Sequence, residues 1–340
     1  MEGSEHRQRR LGIVLVTACL LLGVLMATMD ARKAMHVLRH ASWSWAPVAL
    51  LCSAVSYFCL SAGFSAINRI FGIRLRRRDQ IEIGFVSFAL NNLVSVGGLA
   101  GYSLRLYLLR RRGMAAGDVV SASLVHSYFN HLAMMSLLPI GLTYLLVNHP
   151  LGRTRTFEMS LATAAAVGLL VGTTILLLSD AMRTRAARLF GWLGSKLLRR
   201  DLEHALHDLD TTLGRGVAAI RRRPSVLGVP LLFVVADWAT SVLALGACFE
   251  ALRTPLHPGV LLTGFAIGVT AGFLSMLPGG LGVQEGSMAG IFVLLGVEYE
   301  RAVLAAMLFR VLYYVVPFAA SLVLYAHILR ATPAAEVKPP

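Results

Sequence analysis

Long apolar runs separated by short polar, arginine-rich segments make up most of this 340-residue chain. A helix of about 20 apolar residues crosses the hydrocarbon core of a bilayer, which is about 30 Å thick. Six runs approach or exceed that length: residues 11–29, 46–68, 119–147, 160–179, 226–250 and 302–329. The pattern therefore predicts an all-α polytopic membrane protein with six spanning helices.

Two further apolar regions, residues 81–104 and 258–297, are interrupted by glycine-rich breaks at 97–101 and 278–282. The piece after the second break, residues 286–297, is too short to cross a bilayer at 1.5 Å per residue. Irregular backbone cannot face lipid, because lipid does not satisfy its amide groups. We therefore expect both regions to be re-entrant hairpins that are buried in protein or line a wet cavity.

The distribution of basic residues favours this topology. With a cytoplasmic N-terminus and two hairpins, most of the 32 lysines and arginines fall inside, in agreement with the positive-inside rule. If residues 81–104 crossed the membrane, the arginine-rich segment 181–223 would lie outside. The prediction is a multi-pass protein with both termini in the cytoplasm.

The order of elements repeats along the chain. Residues 1–147 contain two spans, a hairpin at 81–104 and a span, and residues 157–330 repeat this order with the hairpin at 258–297. The halves start on opposite sides of the membrane, so the hairpins enter from opposite sides. Inverted repeats of this kind build a site from facing broken helices near the midplane. The alternative is that glycine-rich kinks recur by chance; residues 331–340 are expected to be a disordered tail.

Composition and charge exclude several classes of protein. Apolar residues make up 56% of the chain and charged residues 15%, against roughly a quarter in soluble domains. This excludes a cytosolic enzyme, a secreted disulfide scaffold and a disordered chain. The net charge of +14 does not indicate nucleic acid, because the arginines flank apolar runs where anionic headgroups are nearer. Membrane phospholipids are the expected partners.

Three ionisable side chains lie inside apolar segments, where such groups are costly and therefore candidates for function. They are Asp237 in the fifth span, Glu285 after the second break and Arg310 in the last span. Arginine suits a lipid phosphate because its planar fork donates two parallel hydrogen bonds. Alternatively, Glu285 and Arg310 form an ion pair that only fixes the hairpin. Asp237 pairs with a basic group, relays protons or makes a structural hydrogen bond.

Other polar residues carry weaker signals. Arg105 follows the first break and is either a phosphate contact or an ordinary cytoplasmic arginine. His126, Asn130 and His131 lie together on the third span, and we expect interhelical hydrogen bonds from them rather than a metal site. A leucine stripe predicts that residues 181–223 form a basic amphipathic helix on the cytoplasmic leaflet. Without a nucleotide or hydrolase motif, no cofactor, metal or enzymatic activity is expected.

The second break carries the most specific motif. It contains Pro-Gly-Gly-Leu-Gly-Val-Gln-Glu at residues 278–285, followed by Gly296, Ala302 and Arg310. The chain thereby resembles, over nearly its whole length, the flippase-like transmembrane domain of lysylphosphatidylglycerol synthases. The first half departs from that family, since Tyr102 stands where the resemblance implies a glutamate, and His126-Ser127 replaces an acidic-basic pair.

The resemblance implies a membrane domain that moves lipid between leaflets, while a separate soluble domain makes the lipid. No soluble domain follows the last span, so we do not expect synthase activity. We predict a lipid translocator of the bacterial inner membrane, with the headgroup phosphate on Arg310 and Arg105 and its cationic part on Glu285. The predicted substrate-binding set also includes Asn92, Asp237, Pro278, Gly279, Gly280 and Gly282.

Two other functions remain open at this point. The first is a scaffold that recruits lipid or cell-envelope biosynthesis enzymes through residues 181–223. The second is an intramembrane transferase, which ranks last because Tyr102 removes a carboxylate from the expected acid/base cluster. Nothing in the sequence indicates an oligomeric state.

Overall fold

The computed structural model describes residues 23–25, 27–94, 99–148, 153–182 and 224–331, with isolated positions between 184 and 221. All regular structure in this part of the chain is helical, which confirms the all-α class. Four described helical segments are long and apolar enough to cross a membrane. They are Trp43–Ile70, Ala116–Asn148, Pro224–Ala251 and Tyr299–Arg330, and they match four of the six predicted spans.

The other predicted segments have different outcomes. The predicted span 160–179 lies in an apolar helix whose strongly apolar part, Thr156–Gly172, is shorter than a span. Most of the predicted span 11–29 and of the amphipathic segment 181–223 lie outside the described residues. So does the predicted tail 331–340, except residue 331, which ends the last helix.

We number the described helices in chain order, with short 3-10 turns before α2, α7 and α9 and a π-helical turn, Arg310–Val315, between α10 and α11. The helices are α1 (Ala31–Arg39), α2 (Ala46–Ile70), α3 (Arg77–Val94), α4 (Leu99–Arg110), α5 (Ala116–Asn148), α6 (Arg153–Leu178), α7 (Gly228–Ala251), α8 (Pro258–Leu274), α9 (Val283–Leu294), α10 (Tyr299–Phe309) and α11 (Val316–Ala331).

Helices extend beyond their apolar cores, so several predicted boundaries were wrong. The predicted repeats left residues 148–156 between them, but α6 already begins at Arg153. The first broken segment, predicted as 81–104, runs from Arg77 to Arg110. Charged residues belong to these helical ends because they reach polar surroundings there, and Arg78 pairs with Glu82 one turn later, at 2.7 Å.

Helices α2 and α7 form the central antiparallel pair. The Ser42 amide at the start of α2 donates to the Ala251 carbonyl at the end of α7, at 2.7 Å. At the other end of the pair, Arg69 of α2 and Val226 just before α7 line the same groove. These contacts define two ends of the bundle, which we call the Ser42 end and the Arg69 end.

The two broken segments are helix pairs that enter the bundle from opposite ends. Helix α3 starts at the Arg69 end, where Asp79 and Arg112 form an ion pair at 3.0 Å across the α3–α4 pair. The α8–α9 pair opens to the Ser42 end, because Arg301 after α9 donates to the Leu252 carbonyl before α8, at 2.7 Å. The breaks between the paired helices therefore point towards each other.

The two breaks meet backbone to backbone. A Cβ atom on Gly279 would lie 2.6 Å from the Leu93 carbonyl oxygen and 2.9 Å from that of Asn92. Gly279 also has a φ of 57°, a conformation that is unfavourable for residues with a Cβ atom. Glycine at this position therefore permits the close contact that joins the tip of the α8–α9 pair to α3.

We predict that Gly279→Ala destabilises the protein by about 1–3 kcal/mol, because it strains a left-handed residue against a rigid backbone. The matched control is Gly286→Ala in α9, where an added Cβ meets nothing within 4 Å and helix propensity favours alanine. Thermal unfolding of both variants in the same detergent measures the difference. Equal unfolding temperatures would show that the contact between the breaks does not matter for stability.

Candidate functional site

A cavity of about 290 Å³ lies where the two helix pairs meet, bounded also by α2, α5, α7 and the π turn. Its apolar lining is formed by Leu60, Phe88, Met134, Phe265, Val269 and Phe273, among others. Its polar lining includes Asn91, Asn92, Tyr102, Arg105, His126, Ser127, Asn130, His131, Asp237, Ser241, Gln284, Tyr313 and Tyr314. A largely apolar cavity with a few converging polar groups is typical of a ligand site.

The structure brings part of the predicted site residues to this cavity. Five of them line it: Asn92, Arg105, Asp237, Gly279 and Gly280. The other four, Pro278, Gly282, Glu285 and Arg310, lie at the second break but are not lining residues. The predicted set therefore divides into a cavity group and a group that shapes the break.

Glu285 and Arg310 form a buried ion pair in which the arginine is 5% exposed and the glutamate 2%. Arg310 also donates from Nη1 to the Gly279 carbonyl, at 2.8 Å. Glu285 accepts from the Gly282 amide through Oε2, at 2.7 Å, which caps the start of α9. The pair thus holds the second break to the π turn, as the hairpin-fixing interpretation predicts.

Gln284 and Tyr314 connect this pair to the cavity. Gln284 donates to the Tyr314 hydroxyl at 2.9 Å, and the Arg310 guanidinium lies 4.4 Å from the centre of the Tyr314 ring. Both connecting side chains line the cavity. A change in the ion pair is therefore transmitted to the cavity wall by direct contacts.

Arg105 is in a very different situation. Its side chain is buried, and its guanidinium carbon lies 4.1 Å from the centre of the Phe64 ring and 4.4 Å from that of Phe88. Within the described residues, its Nε and Nη1 atoms have no hydrogen-bond partner. Aromatic faces attract the charge but do not replace hydrogen bonds, and an unsatisfied buried donor is costly. Arg105 therefore has donors available for a ligand.

Arg105 lacks a carboxylate partner on its own helix because Tyr102 occupies the position where the resemblance implies a glutamate. The resemblance implied a glutamate at this position, three residues before Arg105 and therefore on the same helix face. The phenol ring instead lies 5.5 Å from the guanidinium carbon and lines the cavity. This substitution leaves the cavity with a cation that no neighbouring carboxylate neutralises in the described part of the chain.

Two further polar side chains, Asn91 and His126, line the cavity but were not in the predicted substrate-binding set. Asn91 Oδ1 and His126 Nε2 are buried without a hydrogen-bond partner among the described residues. The interhelical hydrogen bonds expected from the third span include that of Asn130, which accepts from Trp238 on α7 at 3.1 Å, and one between His126 and the Leu60 backbone on α2. His131 bonds to Ser127 of its own helix. The His126 ring also packs against Phe64 of α2 and Phe88 of α3.

Asp237 is buried on α7 and accepts a hydrogen bond from Ser56 on α2. The Tyr313 hydroxyl lies 2.6 Å from Ser56 Oγ and 2.7 Å from Ser241 Oγ. Among the described residues, no basic side chain forms an ion pair with Asp237. The contacts agree with the structural hydrogen bond that was one of the three interpretations of this residue.

Replacing one partner of the Glu285–Arg310 pair leaves a buried charge uncompensated. We predict that Glu285→Gln and Arg310→Gln each destabilise the protein by about 3–5 kcal/mol, and that the double variant loses less than the sum. The control is Glu82→Gln, which breaks a pair with the exposed Arg78 and should change stability little, because solvent screens such pairs. Denaturation in detergent provides the comparison, and additive losses would contradict a direct coupling.

Comparison with known proteins agrees with the motif at the second break. The family model described as the lysylphosphatidylglycerol synthase TM region matches residues 10–321. A UPF0104 membrane protein of Methanothermobacter thermautotrophicus is 24% identical over 285 residues, covering 78% of this chain and 81% of the relative. A second match, also to a UPF0104 membrane protein of that organism, is 29% identical over 104 residues, 31% of this chain and 29% of the relative. The chain is an integral membrane protein that belongs to the lysylphosphatidylglycerol synthase TM region family.

Proposed function

We propose that this protein moves an anionic or zwitterionic lipid between the leaflets of the bacterial inner membrane, with the headgroup passing through the cavity. The observation that carries this proposal is the buried Arg105 side chain. It lines the cavity, and its Nε and Nη1 atoms have no partner among the described residues. A cation in this state calls for an anionic ligand that can enter the bundle.

A lipid phosphate suits Arg105 better than a small molecule that has no anionic group. The planar guanidinium donates parallel hydrogen bonds to phosphate oxygens. The rings of Phe64 and Phe88, which flank the guanidinium, exclude water and hold the fork in one orientation. Asn91 Oδ1 and His126 Nε2 lie at the same cavity and can contact hydroxyl or amine groups of the headgroup.

The opposed helix pairs support a re-entrant arrangement within the membrane. In this proposal residues 1–147 and 157–330 are inverted repeats with six spans, α3–α4 enters from the cytoplasm, and α8–α9 enters from outside. The contact of Gly279 with the Leu93 carbonyl then lies near the midplane, where its backbone is covered by protein and not by lipid. Both termini are cytoplasmic in this topology.

The contacts support different roles for the two arginines. Arg310 already donates to Glu285 and to the Gly279 carbonyl, whereas Arg105 retains unpaired donors. We therefore assign the first phosphate contact to Arg105 and the holding of the second break to the Glu285–Arg310 pair. The headgroup contacts Arg310 and Glu285 only when it replaces their contacts with each other and with the second break. The proposal is non-enzymatic.

The test compares wild type with Arg105→Gln and Arg105→Lys in liposomes that contain a fluorescent phospholipid, with outer-leaflet quenching as the readout. We expect Arg105→Gln to slow lipid movement at least about tenfold, since one lost charged hydrogen bond is worth about 1.5–3 kcal/mol. Arg105→Lys should be intermediate, because it retains the charge and loses the fork.

The matched control is Arg78→Gln, which removes an exposed arginine at the Arg69 end and should leave the rate unchanged. Native mass spectrometry of gently extracted protein provides a second readout. A phospholipid or polyprenyl phosphate should be retained by wild type and lost in Arg105→Gln. Equal rates and equal lipid retention in all four proteins would rule out Arg105 as the phosphate contact.

A further inference from the structure

Asp237 is the other uncompensated charge of the cavity. It is 3% exposed, lies in the middle of α7 and is a lining residue. Its Oδ1 atom accepts from the Ser56 hydroxyl, and no basic side chain of the described residues forms an ion pair with it. A carboxylate that is removed from water without a cation is costly, so this group requires neutralisation by a bound ion or proton.

Hydroxyl groups, and not cations, surround Asp237. A continuous chain of hydrogen bonds runs from Asp237 to Ser56, from Ser56 to the Tyr313 hydroxyl at 2.6 Å, and from there to Ser241 at 2.7 Å. The titratable side chains that face Asp237 from the packed elements are Tyr57 and Cys59 on α2 and Tyr313 and Tyr314 on the π turn. The histidines of the cavity wall, His126 and His131, belong to α5.

The hydroxyl chain connects three elements of the fold. Ser56 belongs to α2, Asp237 and Ser241 belong to α7, and Tyr313 belongs to the π turn. Hydroxyls can reverse their donor and acceptor roles. The hydroxyl chain can therefore bond to a charged or a neutral carboxyl group of Asp237. It holds the three elements together more strongly when the carboxyl group is charged, because hydrogen bonds to an ionised acceptor are stronger.

The π turn connects the hydroxyl chain to the second break. Tyr314 follows Tyr313 directly and bonds to Gln284 at 2.9 Å. Arg310, one turn earlier on the same face, holds the Gly279 carbonyl at 2.8 Å. A shift of the π turn on protonation of Asp237 would thus act on the second break, whose Gly279 and Gly280 line the cavity.

We propose that Asp237 is the proton-binding group that couples headgroup movement to a proton gradient. This inference rests on the proposed lipid translocation. In each cycle the carboxylate takes up one proton from the compartment to which the cavity opens, becomes a neutral carboxylic acid, and releases the same proton to the opposite compartment. No other bond forms or breaks, and the gradient supplies the driving force.

The first experiment measures the steady-state ratio of a fluorescent phospholipid between the leaflets of liposomes with an imposed pH difference. With one proton per lipid, a difference of one pH unit supports a ratio of up to about tenfold. We expect a several-fold asymmetry with wild type, which a protonophore abolishes. Asp237→Asn should give a ratio of one at any pH difference, whatever its basal rate.

The matched control is Ser53→Ala, one turn before Ser56 on α2. Ser53 is equally buried, but its hydroxyl bonds only to the Ala49 carbonyl of its own helix, at 2.8 Å. This variant should retain the wild-type asymmetry, whereas Ser56→Ala should reduce it. The comparison separates the hydroxyl chain from a general effect of changing α2.

A second measurement does not depend on transport. Calorimetric titration of a short-chain phospholipid into the detergent-solubilised protein, in two buffers with different ionisation enthalpies, reports the protons bound or released with the lipid. Wild type and Ser53→Ala should show proton linkage, and Asp237→Asn should show none. Retained linkage in Asp237→Asn would overturn the assignment even if that variant moved no lipid.

The possible failures are distinguishable. A wild-type protein that moves no lipid overturns the proposed function, and this inference with it. A wild-type protein that equilibrates lipid without responding to the pH difference overturns only the inference. Asymmetry that follows a sodium gradient and ignores the pH difference would also overturn it and would assign the hydroxyl cluster to sodium.

Discussion

The buried ion pair between Glu285 and Arg310 is the interaction on which the rest of the site depends. The second break contains three glycines with positive φ, Gly279, Gly280 and Gly282, and such backbone has no intrinsic preference for one conformation. Glu285 binds the Gly282 amide while Arg310 binds the Gly279 carbonyl. The pair therefore satisfies the exposed backbone of the break and fixes the surface on which the first broken segment packs.

Three buried charged residues of this region, Arg310, Arg105 and Asp237, have different kinds of partner. The partners distinguish a residue that stabilises the fold from residues that can bind a ligand. Arg310 is satisfied by a carboxylate and a carbonyl, so it stabilises the break. Among the described residues, Arg105 has aromatic faces but donors without partners, and the Asp237 carboxyl group accepts from a hydroxyl but forms no ion pair with a basic side chain. Because unpaired charges are costly in a membrane protein, their retention at a shared cavity is most simply explained by ligands that neutralise them during the working cycle.

The sequence predicted the elements better than the contacts between them. Apolar runs located four spans, because the requirement to cross a hydrocarbon core constrains length and composition directly. Glu285 and Arg310 were recognised, and their pairing was one of the two interpretations, because charges within apolar segments are few. The hydroxyl cluster was not predictable, since Ser56, Ser241 and Tyr313 are ordinary residues that only tertiary packing brings to Asp237. The unsatisfied state of Arg105 likewise depends on Phe64 of another helix.

The π turn explains how one helix can serve both the ion pair and the hydroxyl chain. Arg310, Tyr313 and Tyr314 stand at relative positions 0, 3 and 4, which lie on one helix face, yet they contact partners on different elements. A wider π turn changes the angular spacing of these side chains, and such turns are frequent at functional sites. Tyr313 thereby reaches α2 and α7 while Tyr314 and Arg310 reach the second break. The same segment therefore contacts both the hydroxyl cluster at Asp237 and the second break.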